Sequence, residues 1–295
     1  RNIMQNVYNF KSPAKLNLYL EVKNKRKDGF HNIESLMTFC DLGDSISLEK
    51  SDSFKFNLVG PFGNLLDYSN NIIIKAVNGL EKLYKRKFLV NVTLDKKLPI
   101  SSGMGGGSSN AATIIRAIHD IFEINKTKNL DKFLLSIGAD VPFCFYGKSA
   151  ITTGIGERLK FVDHHLTKNY VLLVNPMKEV STKKIFEKLN IKKYDKAFKN
   201  FNNIKIDLNF LEDKENHLEA VASRELPEIK LVLDFLNSNT SSLYSRMTGS
   251  GATCFSLYEN KKSLESAEKL MKLNFPSYWI KSTKLVNSIN DINLV

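Results

Sequence analysis

The sequence predicts a fold mixing strands and helices in two domains, and three observations carry that expectation. The chain has 295 residues, which at roughly 100–200 residues per domain holds two domains or one large one. Its apolar residues switch between alternation, the period of a strand, and the spacing of one helix face. A polar, charged stretch, Phe161–Asn169, precedes a new apolar run and is the best place to divide the chain, into residues 1–163 and 164–295. Hydrophobic residues at 42% and charged ones at 25% give enough apolar chain for a full core without disulfides or a structural metal.

Lys15–Val22 reads as a strand, with Leu16, Leu18, Leu20 and Val22 on one face and Asn17, Tyr19 and Glu21 on the other. Phe88–Leu94 alternates in the same way and runs through Asp95–Pro99 into a glycine-rich stretch, Ser101–Ser109. The helix expected next, Ala111–Phe122, sets Ile114, Ile115, Ile118 and Phe122 on one buried stripe. Leu130–Ile137 is a short helix ending at Gly138, where a residue of positive φ is expected. Tyr170–Val174 is a wholly apolar strand, and Lys183–Asp213, rich in Lys, Asn and Asp, holds a short helix and then loop. Glu265–Leu273 is a late amphipathic helix and Trp279–Lys284 a late strand.

Composition narrows the function classes. Forty-three Lys+Arg against 31 Asp+Glu leave a formal net charge of +12, which calls for an anionic partner without choosing among nucleic acid, membrane and a phosphate ligand. No apolar stretch approaches the ~20 residues of a membrane span, and Arg1–Lys11 lacks the apolar run of a signal peptide. Cys40, Cys144 and Cys254 are far apart with no CxxC spacing, which fits reduced thiols in a cytoplasmic protein. The five histidines form no HxxH or HExxH pattern, and adjacent His164 and His165 point to opposite sides of any strand, so no metal residues are expected.

The chemistry concentrates in Leu98–Ala112, where four of the five residues Gly103–Gly107 are glycine. Such a run buries little and loses much backbone entropy on ordering, so it is not core. It lets successive amides converge on one point, and the helix N-terminus behind it favours an anion. Strand, glycine loop and helix start together make a phosphate cradle, although neither G-x-x-x-x-G-K-[ST] nor G-x-G-x-x-G fits. Asp140, in Gly138-Ala139-Asp140-Val141-Pro142, is one carboxylate in apolar surroundings, either a general base or a turn residue capping nearby amides. Lys15 opens an otherwise apolar strand, as a charge partner or as an edge-strand lysine. Met247–Thr253, a further glycine element without charge, suits close approach to another loop or to phosphates.

Taken in order, Pro13–Leu18, Arg26–His31, Pro99–Ala112, Gly138–Pro142 and Thr248–Thr253 resemble the GHMP kinase superfamily of galactokinase, homoserine kinase, mevalonate kinase and phosphomevalonate kinase. Within it the pattern is similar to the kinases of a cytidine diphosphate ester of methylerythritol in the non-mevalonate isoprenoid pathway. The resemblance implies an α+β, two-domain GHMP kinase fold. Its N-terminal domain is like domain 2 of ribosomal protein S5, its C-terminal domain is ferredoxin-like, and the site lies in the cleft. It implies ATP, with Mg²⁺ expected, over Pro99, Gly103, Gly105, Gly106, Gly107, Ser108 and Ser109, with Lys96 and Asn71 near the adenosine. Asp140 matches the general base and Lys15 its partner, while Asn17 holds the methylerythritol. His31 bonds the cytosine edge, Phe30 and Phe186 sandwich the ring, and Thr182 lies on the Phe186 segment. The departures are Phe30 for a usual Tyr, Ser101 and Ser102 for common glycines, Met104 for Leu, and Thr248 for Ser.

The expected partner is a small-molecule substrate, with no nucleic acid, membrane or obligate protein partner. The rivals are a sister kinase acting on homoserine, mevalonate or a sugar, a basic nucleic-acid-binding protein, and a catalytically dead scaffold. The first gives no reason for Asp28–His31 and Phe186. The second rests on +12 and the Lys183–Lys199 run, where lysine alternates with acidic and apolar residues as on a solvated face. Lys15, Asp140 and the loop together oppose the third.

Overall fold

The computed structural model describes residues 7–190, 201 and 204–292. Two long strands, β1 (Tyr8–Lys25) and β2 (His31–Lys50), form an antiparallel hairpin that anchors the sheet. The pairing register shifts between Pro13 and Lys15 and again between Asn17 and Tyr19. Such bulges re-aim side chains, and these two flank Lys15 and Asn17. The strand is buried on both faces across this region, so the polar positions alternating with leucine do not face water.

β3 (Lys55–Val59) and β4 (Val90–Asp95) run parallel, with α1 (Ile72–Tyr84) between them in sequence. α2 (Gly106–Ile121) starts in the glycine stretch rather than at Ala111. Glycine and serine read as loop by propensity, yet Gly105, left-handed at φ 62°, turns the chain directly into the first helical turn. α3 (Leu130–Ile137) ends where expected, but Gly138 is extended at φ 175° rather than left-handed, because the chain goes straight into α4 (Val141–Tyr146). Arg116 of α2 ties the two helices, donating to the carbonyls of Cys144 and Phe145 and to Thr113 Oγ1.

β5 (Ala150–Gly154) pairs with β2, and β6 (Arg158–Phe161) with β5. The later segments are β7 (Tyr170–Asn175), α5 (Thr182–Lys188), α6 (Leu208–Glu212), α7 (Glu219–Glu225), α8 (Pro227–Asn239), β8 (Tyr244–Met247), β9 (Cys254–Tyr258), α9 (Lys261–Asn274) and β10 (Trp279–Val286). α5 and α6 bracket the Lys- and Asn-rich segment; its residues 191–200, 202 and 203 lie outside the described ones. Strands run in the order β3-β4-β2-β10-β7-β9-β8, with β1 and β5 also on β2.

Three apolar clusters fill the fold. One packs α1, α2, α3 and α4 on β2 and β4; another packs α7, α8 and α9 on β7 and β9. A third, on the other face of β7 from the second, holds Leu16 and Leu18 of β1, Met104 of the glycine loop and Leu173 of β7. The last described residues return to the first cluster, where Val286 and Ile292 are buried. The three cysteines are buried, and burial raises each thiol, that of Cys144 to about 12, so they are core residues rather than nucleophiles.

Candidate active site

β1 and the start of α4 bring together a cation and a carboxylate 125 positions apart in the chain. Lys15 Nζ stands 3.0 Å from Asp140 Oδ2, with the lysine side chain 6% exposed and the aspartate 28%. The same ammonium donates to Asn17 Oδ1 at 2.6 Å, two positions along one strand face. Asn17 is itself fixed, its Nδ2 donating to Ser35 Oγ at 2.9 Å and its amide to Thr248 Oγ1 at 2.8 Å. Asp140 occupies the N-cap position of α4 but makes no side-chain cap bond. Its carboxylate is therefore turned to Lys15 and the cleft, not to its own helix.

The glycine loop packs against this pair. Lys15's amide donates to Met104 O at 2.9 Å, and a Cβ on Gly105 would lie 2.6 Å from Lys15 Cγ. Gly103 abuts the late glycine element so closely that its Cβ would meet Thr248 O at 2.4 Å. The uncharged Met247–Thr253 turn thus serves loop-to-loop approach. Behind the loop the first closing bond of α2 is Ser109 N to Gly105 O, 2.9 Å. The amides of Gly106, Gly107 and Ser108 precede it and have no acceptor within the helix.

Two cavities meet at this loop. One, of about 880 Å³, is lined by Lys15, Asn17, Asp140, Thr182 and Phe186 among others; the second, of about 530 Å³, by Asn71, Lys96, Pro99, Gly106 and Gly107. Ser101, Gly103, Gly105 and Ser108 line both. Every expected nucleotide residue except Ser109 therefore borders the second cavity. Ser109 is 1% exposed, and its hydroxyl accepts from Ser12 Oγ at 3.1 Å, so it holds α2 to β1 rather than facing a phosphate. Asn71 also caps α1, accepting from Ile73 N at 2.9 Å. Lys96 stands nearer the loop than expected: a Cβ on Gly106 would lie 2.9 Å from its Nζ.

The aromatic wall departs from expectation. Phe186 stacks on His31, ring centroids 5.0 Å apart, so the imidazole covers a face that a sandwiched base would use. Phe30 is 58% exposed and lines neither cavity. Burial, with Lys25 nearby, holds the His31 imidazole below its usual pKa. Thr182 and Ser250 join the two sides of the larger cavity by a 2.6 Å hydroxyl–hydroxyl bond.

Sequence reasoning missed Asp44. Fully buried, it accepts from Lys96 Nζ at 2.5 Å and from the amides of Lys97 and Leu98 at 2.8 Å each. It thereby shapes the entry to the glycine loop and holds Lys96 there. Among the described residues no three His, Cys, Asp or Glu side chains converge on one point.

Known proteins share this architecture. Residues 71–148 match the GHMP kinases N terminal domain and residues 195–276 the GHMP kinases C terminal domain. A Chelativorans sp. (strain BNC1) protein named 4-diphosphocytidyl-2-C-methyl-D-erythritol kinase is 35% identical over 290 residues, 96% of this chain and 98% of its own length. The chain belongs to the 4-diphosphocytidyl-2-C-methyl-D-erythritol kinase family of GHMP kinases. Another family member, from Wolbachia pipientis wMel, is 34% identical over 94% of this chain and 98% of its own. A crystal structure of a 4-(cytidine 5'-diphospho)-2C-methyl-D-erythritol kinase superposes with TM-score 0.76 at 26% identity, covering 94% of this chain and 99% of that one. Homoserine kinase from Cytophaga hutchinsonii shares the fold, TM-score 0.70 at 17% identity over 98% of each chain. Membership makes the protein a phosphotransferase of the α+β GHMP kinase fold and carries ATP use with it. No helix among the described residues is long and apolar enough to cross a membrane.

Proposed function

We propose that the chain moves the γ-phosphoryl group of ATP to the 2-hydroxyl of 4-diphosphocytidyl-2-C-methyl-D-erythritol, a step of the non-mevalonate route to isoprenoid precursors. The observation that carries this reading is the shared glycine wall between the two cavities. A nucleotide in the smaller one directs its phosphates at Gly103–Ser108, and an acceptor in the larger one meets Lys15 and Asp140 across that wall. The names of the family members support the acceptor's identity. Residues 1–163 then hold the phosphate loop and the catalytic pair, and residues 164–295 supply the wall with Thr182 and Phe186.

Asp140 takes the proton of a tertiary alcohol too weakly acidic to ionise alone at neutral pH. Lys15, 3.0 Å away, stabilises the emerging alkoxide. The amides at the start of α2 and the positive end of its dipole meet charge on the β- and γ-phosphates as the bond to ADP breaks. Mg²⁺, expected with the nucleotide, would neutralise part of that charge. Cytosine recognition by Phe186 requires the His31 ring to slide from stacking to edge contact, and Phe30 to swing in from solvent. Small phosphorylated substrates and buried thiols suit the cytoplasm, and +12 needs no nucleic acid to explain it.

A coupled ADP-release assay with the cytidylylated methylerythritol beside mevalonate, homoserine and galactose tests the reading. Turnover is expected with the first; preference for any of the other three would overturn the substrate assignment.

A further inference from the structure

The larger cavity has an electrostatic problem. Three carboxylates line it, Asp140, Glu179 and Glu225, against two cations, Lys15 and Lys184. The acceptor proposed above carries a diphosphate bridge with two negative charges of its own. Lys15 is already engaged, its ammonium 3.0 Å from Asp140 and 2.6 Å from Asn17 Oδ1. That leaves one cation for the bridge.

The lysines of α5 are not equivalent. Lys183 pairs with Glu187 at 3.9 Å and Lys188 with Glu225 at 2.6 Å. Lys184, the one that lines the cavity, makes no ion pair within 4.0 Å among the described residues. Its backbone is nonetheless held: its amide donates to Ser181 Oγ at 3.4 Å, and Ile185 beside it is fully buried. Phe186 follows, stacked on His31. A fixed backbone with an uncommitted ammonium, adjoining the aromatic wall, is what an anion between the base and the reacting hydroxyl would meet. Its field already reaches Glu225, whose carboxyl is held below its usual pKa chiefly by the bond from Lys188 and in smaller part by Lys184.

We propose that Lys184 is a specificity-determining residue that receives the diphosphate bridge of the acceptor. The proposal rests on the cytidine diphosphate reading of the cavity. It adds a discrimination the catalytic pair cannot make, because homoserine, mevalonate and galactose present no diphosphate. A charge-assisted contact made equally in the ground and transition states raises KM without lowering kcat when lost.

The experiment compares wild type with Lys184→Met, Lys184→Arg and Lys184→Glu, using the cytidylylated methylerythritol and ATP. Lys184→Met is expected to raise the acceptor KM about 10-fold with kcat and the ATP KM within about twofold. Lys184→Arg should restore most of the loss, and Lys184→Glu should deepen it. Cytidine and cytidine diphosphate as competitive inhibitors isolate the phosphate term. The Met variant should lose affinity for the diphosphate and keep it for the nucleoside. An unchanged acceptor KM, or equal losses for both inhibitors, overturns the assignment to Lys184. A wild type that does not turn over the acceptor would instead sink the underlying substrate reading, so the two failures are distinguishable.

Discussion

Asp140 has two possible employments, capping a helix or taking a proton, and its geometry separates them. The carboxylate makes no bond to the amides of α4 and instead faces an ammonium at 3.0 Å across a cavity wall. Asp140→Asn keeps the shape and removes the basicity. Turnover should fall at least roughly 10²-fold, with nucleotide binding retained in a direct titration. Near-normal kcat in that variant would remove the general-base role. Lys15 and Asp140 were legible because each sits in a short run of unusual composition. Asp44 was not: it is one of 31 acidic residues, and its partner Lys96 is 52 positions away. Its role depends on β2 and β4 lying side by side, which no local pattern encodes. The exposed position of Phe30, outside both cavities, was not legible for a related reason, since motif identity does not say how a turn orients its tip.

At the scale of elements, the glycine loop was legible as a turn leading into a helix start, but its boundary with α2 was not. Propensity assigns Gly106–Ser108 to loop, whereas packing on β1 through Ser12, Ser109 and Asn110 winds them into the helix. Two glycines two positions apart should therefore respond oppositely to the same substitution. Gly105, at φ +62°, would place a Cβ 2.6 Å from the Lys15 stem. Gly105→Ala should cost about 1–2 kcal/mol of stability from left-handed backbone alone. Displacing the Lys15 ammonium should further lower kcat by about 10-fold. Gly107 lies inside the helix, and its nearest contact for a Cβ is Ile72 Cγ2 at 3.8 Å. Gly107→Ala should be neutral to stabilising, by up to about 1 kcal/mol. Denaturant melts of both variants and steady-state kinetics of the first check the pair. Equal stability changes would mean that the loop does not hold Gly105 in this conformation.

Across the whole molecule, the alternation of strands and helices was legible, while the return of the chain's last segment to the first apolar cluster was not. That return is organised around a buried histidine. His164 is 3% exposed; its Nε2 hydrogen-bonds Thr38 Oγ1 of β2 at 2.8 Å, and its amide donates to Asn287 Oδ1 at 3.1 Å. Thr38 Oγ1 also donates to Val286 O at 3.0 Å and lies 2.9 Å from Ser149 Oγ. Through the Thr38 hydroxyl the imidazole is thus tied to the point where β2, the residue before β5 and the end of β10 meet. Burial, with a smaller contribution from His165, lowers its pKa from 6.5 to about 4. In the unfolded chain the ring protonates near 6.5, so over the interval from 6.5 to 4 the unfolded state binds the extra proton. The neutral ring's stabilisation is thus complete above about pH 6.5, declines as pH falls, and is gone by about pH 4. At about 1.36 kcal/mol per pKa unit the decline amounts to about 3 kcal/mol. His217, also held low chiefly by burial, adds to it with the same sign. Urea unfolding at pH 7.5, 5.5 and 4.5 should show wild type losing stability steeply. His164→Gln, less stable at neutral pH, should have a shallower slope because its side chain no longer titrates. Parallel slopes for the two proteins would show that acid acts elsewhere and that this junction is indifferent to protonation.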